Sequence, residues 1–167
     1  MERSLILNSN QIEQKIDRMA WEIYENNAAE TGLVLVGIKS SGYILATRIA
    51  KALGKISPLK TELFEISINK PNPLEKEGEF RIPLEALKEK VIVVIDDVLN
   101  SGKTLLYGVR PFLAIPVKRL QTAVLVDRNH NRYPIKSDYT GLSLATTLLE
   151  RVSVELDVPG QEAVYLM

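Results

Sequence analysis

The stretch that most constrains this chain is Val91 to Thr104, which reads Val-Ile-Val-Val-Ile-Asp-Asp-Val-Leu-Asn-Ser-Gly-Lys-Thr. Val91 to Ile95 are all β-branched and apolar, with no period-two alternation. That pattern predicts a strand covered on both faces, as in a parallel sheet. The expected fold class is α/β: an open, mostly parallel sheet flanked by helices. Asp96 and Asp97 fall where the strand should end, at the rim where open α/β sheets bind ligands. Asn100-Ser101-Gly102-Lys103-Thr104 then makes a polar turn, and Leu105, Leu106, Val109 and Leu113 follow at helical spacing.

Residue types specify the chemistry of this arrangement. Backbone amides of a Ser-Gly-Lys-Thr turn opening a helix point outward with the positive end of the macrodipole behind them, so a phosphate fits there. Two carboxylates just upstream would repel that phosphate on contact. They suit a neighbouring part of the same ligand, such as ribose hydroxyls or a bound divalent cation. The ligand therefore reads as a sugar phosphate. A nucleotide-hydrolase P-loop is excluded, because the motif needs a glycine five residues before Gly102 and that position is Asp97. A strand ending in a solvated Asp-Asp turn is the plain alternative.

An acidic pair followed by such a turn resembles the signature of the type I phosphoribosyltransferases, which bind phosphoribosyl pyrophosphate. The resemblance implies that Asp96 and Asp97 contact the ribose 2- and 3-hydroxyls, with Asp97 the principal catalytic candidate. It implies a phosphoribosyl-binding run of Asp96, Asp97, Val98, Leu99, Asn100, Ser101, Gly102, Lys103 and Thr104, whose later residues hold the 5-phosphate. A second strand, Leu33 to Val36, delivers Gly37-Ile38-Lys39-Ser40-Ser41-Gly42 to a helix carrying Ile44, Leu45, Ile49, Ala52 and Leu53. Within the resemblance this is the pyrophosphate loop, with Lys39, Ser40, Ser41 and Gly42 facing the leaving group.

Length and charge set broader bounds. The 167 residues suffice for one domain, 1–167, with a sizeable core. Lys+Arg and Asp+Glu number 21 each, so no global field announces nucleic acid, an anionic membrane or an acidic substrate. There is no cysteine, which excludes disulfides and thiolate metal sites. The apolar run Leu5 to Leu7 is too short for a signal peptide or a membrane span, and a cytoplasmic protein is expected.

Along the chain, Asn10 is expected to cap a first helix with Glu13 reaching back, and Ile12, Ile16, Met19, Ala20 and Ile23 to form its apolar face. Trp21 and Tyr24 lie off that stripe. A long strand is predicted from Pro58 to Ile68, then a polar excursion from Asn69 to Glu79. In the family a flexible hood lies here and closes over the substrate. Pro111 should kink or shorten the helix after the central motif. Leu120 to Val126 is a further strand leading into a polar segment that carries the single histidine, His130. A structural His at a strand end is the expectation there rather than a catalytic base.

That segment narrows the resemblance. Leu125 to Arg128, His130, Pro134-Ile135, Asp138-Tyr139, Gly141 and a closing Val152-Ser153-Val154-Glu155-Leu156 strand, with Arg18-Met19-Ala20 and Glu22-Ile23 in the first helix, resemble the bifunctional pyrimidine operon regulators that are also uracil phosphoribosyltransferases. The resemblance implies transfer of phosphoribosyl to uracil or a related base, with Mg2+ as cofactor and no direct protein ligation of the metal expected. It places Asp127, Arg128, Arg151 and Val152 near the base and implies a homodimer. Two departures stand out. Where the family carries Thr-Arg-Gly this chain has Ser40-Ser41-Gly42, and where the family's hood begins Leu-Tyr-Arg-Asp-Asp the strand leaves as Ile68-Asn69-Lys70-Pro71-Asn72. One lost guanidinium contact costs a few kcal/mol of transition-state stabilisation, on the order of a hundredfold in rate. Lys39, Lys70 and Arg81 are the candidates to compensate, although lysine is a point charge without a bidentate grip.

Two other classes of function stay open. A pyrimidine-responsive RNA-binding regulator would need a basic face, for which Lys15-Arg18, Lys51-Lys55 and Lys118-Arg119 are the available clusters. With zero net charge it is the less favoured reading. A non-catalytic sensor of phosphoribosyl pyrophosphate or nucleotide would bind without turnover.

Overall fold

The computed structural model describes residues 3–68 and 81–167. Its main sheet holds five parallel strands in the order β3-β2-β4-β5-β6, namely Lys60–Ile66, Gly32–Ile38, Val91–Leu99, Arg119–Asp127 and Tyr139–Ser143. The apolar run of β4 is continuous because both faces are covered. Val91, Val93 and Ile95 pack into one core with Leu33, Leu35 and the helices α1 (Ser9–Asn26) and α2 (Ser41–Ile56). Ile92 and Val94 pack into a second core with Val34, Val36, Leu105, Val109 and Phe112. The expected α/β architecture with helices on both faces is therefore present.

Several boundaries differ from the sequence reading. Helix α1 is capped by Asn8, not Asn10: the Asn8 side chain accepts from the Gln11 amide and Gln11 reaches back to the Asn8 amide, both at 2.9 Å. The expected strand from Pro58 to Ile68 is limited to Lys60–Ile66. Strand β2 runs on to Ile38, beyond the expected Val36, so Ser41 and Gly42 open α2 instead of lying in a loop. The helix after the central motif, α3, is only Lys103–Val109; Pro111 falls in a following 3-10 turn, Arg110–Ala114, which leaves Leu113 exposed. The hood segment and Lys70 lie outside the described residues.

A second, antiparallel sheet was not anticipated. β1 (Ser4–Leu7) and β7 (Val152–Glu155) both pair with β8 (Ala163–Leu166), which lies between them. Arg151 and Met167 extend this pairing by exchanging backbone hydrogen bonds at 2.8 and 2.9 Å. Glu162, at the entry to β8, accepts from the Ser9 hydroxyl at 2.5 Å and pairs with Arg48 of α2 at 3.0 Å. Those partners, the hydroxyl first, hold the Glu162 carboxyl below its ordinary range. Among the described residues no helix is long and apolar enough to cross a membrane.

Candidate active site

Strand β4 does not stop before its acids. It pairs with β5 as far as Leu99 opposite Asp127, so Asp96 and Asp97 are held in the sheet and not in a loose turn. Each carboxylate is fixed from its own backbone: Asp96 accepts from the Asp97 amide at 3.0 Å and Asp97 from the Val98 amide at 2.8 Å. Asp96 is buried and Asp97 half-buried. They line a cavity of about 1080 Å³, the size of a site for a whole small molecule.

The turn that follows forms the same wall. Asn100, Ser101, Gly102 and Thr104 line the cavity, and the amides of Ser101 and Gly102 are given to no protein acceptor among the described residues. Gly102 has φ +87, a left-handed conformation that side chains rarely adopt, and a Cβ there would meet Ile135 Cγ2 at 2.7 Å. The segment after β5 braces this turn from outside. Ser101 O accepts from the amides of Arg132 at 2.8 Å and Tyr133 at 3.0 Å, and Leu99 O accepts from the Arg128 amide at 3.0 Å.

The opposite wall is the 146–152 segment, of which Thr146, Thr147, Leu148, Glu150, Arg151 and Val152 line the cavity. Thr147 and Glu150 close it locally: Glu150 accepts from the Thr147 amide at 2.6 Å and its own amide donates to Thr147 Oγ1 at 3.3 Å. The first of these bonds is the main reason the Glu150 carboxyl is held below its ordinary range. Arg128 clamps the two walls together. Only 6% exposed, it donates to Asn100 Oδ1 and Thr146 Oγ1, both at 3.0 Å, and to the carbonyls of Thr147 and Glu150. His130 also lines the cavity, and its Nε2 donates to the Thr146 carbonyl at 2.6 Å.

Of the residues singled out in the sequence, Asp96 to Gly102, Thr104, Leu105, Arg128, His130, Arg151 and Val152 share this cavity. Lys103 and Asp127 are not among its lining residues; Asp127 instead accepts from the Asn129 amide at 2.8 Å. Lys39 and Ser40 are exposed on the neighbouring β2–α2 connection. Gly42 brings that connection against the acidic pair: a Cβ there would sit 2.7 Å from Ile95 O and 3.3 Å from Asp96 Oδ1. Sequence reasoning passed over Asn129, Asn131, Arg132 and the Thr146–Glu150 loop. A Thr-x-x-Glu spacing at Thr147 and Glu150 is the one local signal that loop carries.

Residues 3–158 match the model of the phosphoribosyl transferase domain. The chain belongs to the phosphoribosyltransferase family. It is 34% identical over 173 aligned positions to the bifunctional protein PyrR of Bacillus cereus (strain B4264), covering 96% of this chain and 94% of that protein. The bifunctional protein PyrR of Bacillus anthracis (strain CDC 684 / NRRL 3495) matches to the same extent. Among solved structures, the hypoxanthine phosphoribosyltransferase of Trypanosoma cruzi superposes with a TM-score of 0.75 at 17% identity, over 98% of this chain and 95% of that one. A hypoxanthine-guanine phosphoribosyltransferase from Bacillus anthracis gives a TM-score of 0.67 at 18% identity, over 86% and 84%. These likenesses make the main sheet with its flanking helices that of a phosphoribosyltransferase.

Proposed function

We propose that this phosphoribosyltransferase joins the phosphoribosyl group of phosphoribosyl pyrophosphate to a nucleobase, uracil in the first instance, and releases pyrophosphate. The observation that carries this reading is a single cavity wall on which a fixed acidic pair runs into a turn with outward amides. The turn Asn100–Thr104 takes the 5-phosphate, and Asp96 and Asp97 take the ribose hydroxyls. Asp97 Oδ2 receives no hydrogen bond from the described residues and is available for that contact. The pyrophosphate lies towards Lys39–Gly42 and the base towards Arg151 and Val152.

The bond from the anomeric carbon to the pyrophosphate oxygen breaks as the bond from that carbon to a ring nitrogen forms, and the nitrogen's proton leaves to solvent. Positive charge builds on the sugar, where carboxylates fixed in advance stabilise it without reorganising. No nucleophile or His-carboxylate pair is required. Among the described residues no three His, Asp or Glu side chains cluster as a metal site. With Asp96 and Asp97 given to the ribose hydroxyls, magnesium would be carried by the donor's own phosphate oxygens beside them, without a direct protein ligand, and would neutralise charge on the departing pyrophosphate. We take the working form to be a cytoplasmic homodimer, as the family resemblance implies.

The resemblance to operon regulators keeps RNA binding as a second reading, but the basic clusters are partly occupied. Lys118 pairs with Glu30 at 2.8 Å, Arg119 donates to Asn26 O and Asn27 Oδ1 at 2.8 and 3.0 Å, and Arg18 pairs with Glu22 at 2.6 Å. The deciding experiment is uridine monophosphate formation from uracil and phosphoribosyl pyrophosphate with magnesium, for wild type and Asp97→Asn. Turnover that collapses in the variant supports the transferase. Donor binding by calorimetry without turnover, for any pyrimidine or purine base tried, replaces it with a sensor.

A further inference from the structure

Three arginines line the cavity, Arg128, Arg132 and Arg151, and they are not equivalent. Arg128 is buried and its donors are committed to Asn100, Thr146, Thr147 and Glu150. It holds the cavity's shape and has little left for a ligand. Arg151 sits on the small-sheet wall, its backbone tied to Met167. Arg132 flanks the phosphate turn itself, because its amide donates to Ser101 O at 2.8 Å. Its side chain is exposed and makes no hydrogen bond or ion pair among the described residues.

We infer that Arg132 is a substrate-binding residue of this site, closing its guanidinium over the 5-phosphate that the Asn100–Thr104 turn receives. The inference deepens the reading given under the proposed function and rests on it. A sugar 5-phosphate is dianionic, and the turn answers it with neutral amides and hydroxyls beside two carboxylates of the wrong sign. Lys103, the one cation inside the turn, does not line the cavity. A charge balance at this end of the site therefore needs a cation from elsewhere; Arg132 and Arg151 both line the cavity with side-chain donors uncommitted among the described residues, and of the two Arg132 has its backbone anchored on the turn. The planar fork of arginine matches two phosphate oxygens at once, which lysine cannot do. The contact is separate from the guanidinium missing at Ser40-Ser41-Gly42, which in the family faces the pyrophosphate.

The test uses the full chain with Arg132→Gln and Arg132→Lys. The exposed side chain leaves the backbone bond to Ser101 in place, and circular dichroism verifies that both variants fold. Binding of phosphoribosyl pyrophosphate, and separately of ribose 5-phosphate, is measured by calorimetry with magnesium. Arg132→Gln should weaken both ligands about tenfold to hundredfold, with Arg132→Lys between it and wild type. The KM for uracil should stay within about twofold, and the salt dependence of ribose 5-phosphate binding should flatten. Wild-type affinity for ribose 5-phosphate in Arg132→Gln overturns the inference and leaves the transferase reading standing. Failure of the wild type to bind either ligand removes both.

Discussion

Arg128 Nη1 donates to Asn100 Oδ1 at 3.0 Å, so the exit of β5 holds the turn that leaves β4. The same guanidinium reaches the opposite wall through Thr146 Oγ1 and two carbonyls. One buried side chain thus sets the width of the cavity. The loop it grips leads on to Arg151 and Val152, which line the same cavity.

Removing that clamp should damage the site more than the fold. Arg128→Ala leaves buried oxygens without a donor, at a cost of about 1–3 kcal/mol. The expected outcome is a kcat/KM for the phosphoribosyl donor lowered roughly tenfold to a hundredfold with a folded circular dichroism spectrum. Arg128→Lys should recover only part of it, since an ammonium cannot span four separated acceptors. Equal kinetics for Arg128→Lys and wild type would refute the clamp.

Two glycines of α2 should respond in opposite directions to the same substitution. At Gly42 an added Cβ meets backbone, Ile95 O at 2.7 Å and Asp96 Cα at 3.1 Å, neither of which can step aside cheaply. Gly42→Ala should cost about 1–3 kcal/mol and lower activity by displacing Asp96. At Gly54 nothing lies within 4 Å, and the position is exposed in the last turn of the helix. Gly54→Ala should stabilise by about 0.5–1 kcal/mol with unchanged activity. Urea midpoints and turnover of the two variants check the contrast.

Asn129 lines the cavity with φ 57, and its side chain donates to Ser143 Oγ at 2.9 Å. Asn tolerates the left-handed region better than most residues, and a β-branched residue tolerates it poorly. Asn129→Gly should keep the backbone and lose only the Ser143 contact, a stability change within about 1 kcal/mol. Asn129→Val should cost about 1–2 kcal/mol more and raise the KM for substrate. Indistinguishable melting of the Gly and Val variants would contradict this account.

What was legible in the sequence follows the range of the interaction that decides it. Val91 to Ile95 announce a strand between two layers because that information is local composition, and the acids at its end are carried along. The cap of α1 lies two residues before Asn10 because Asn8 with Gln11 and Asn10 with Glu13 both satisfy the capping pattern locally. The end of β1 at Leu7 selects the first. Strand β8 is four residues long and defined by pairing with both β1 and β7, contacts that local patterning does not carry. The same holds for the cavity's second wall. Thr146 to Glu150 read as an unremarkable polar-apolar run until Arg128, 18 residues or more earlier in the chain, fixes them.

Tyr139 gives the fold an alkaline limit that can be isolated. It is 2% exposed, and Asn27 Nδ2 donates to its hydroxyl at 3.4 Å. Burial pushes the phenol above its ordinary 10.0, opposed by hydrogen bonds from Asn27 and Gln121 and reinforced by the Asp138 carboxylate. The folded state therefore favours the neutral phenol more than the unfolded chain does. Its contribution is fully present below pH 10 and is lost as pH rises through 10 towards the raised folded value, because the unfolded state ionises first. Tyr139→Phe should lower stability at pH 8 by about 1 kcal/mol, the worth of a neutral hydrogen bond. Above pH 10 the gap between variant and wild type should close, since Phe has no proton to lose. Urea midpoints of both proteins from pH 8 to 11 measure it, and a gap that stays constant across that range would remove Tyr139 from the alkaline transition.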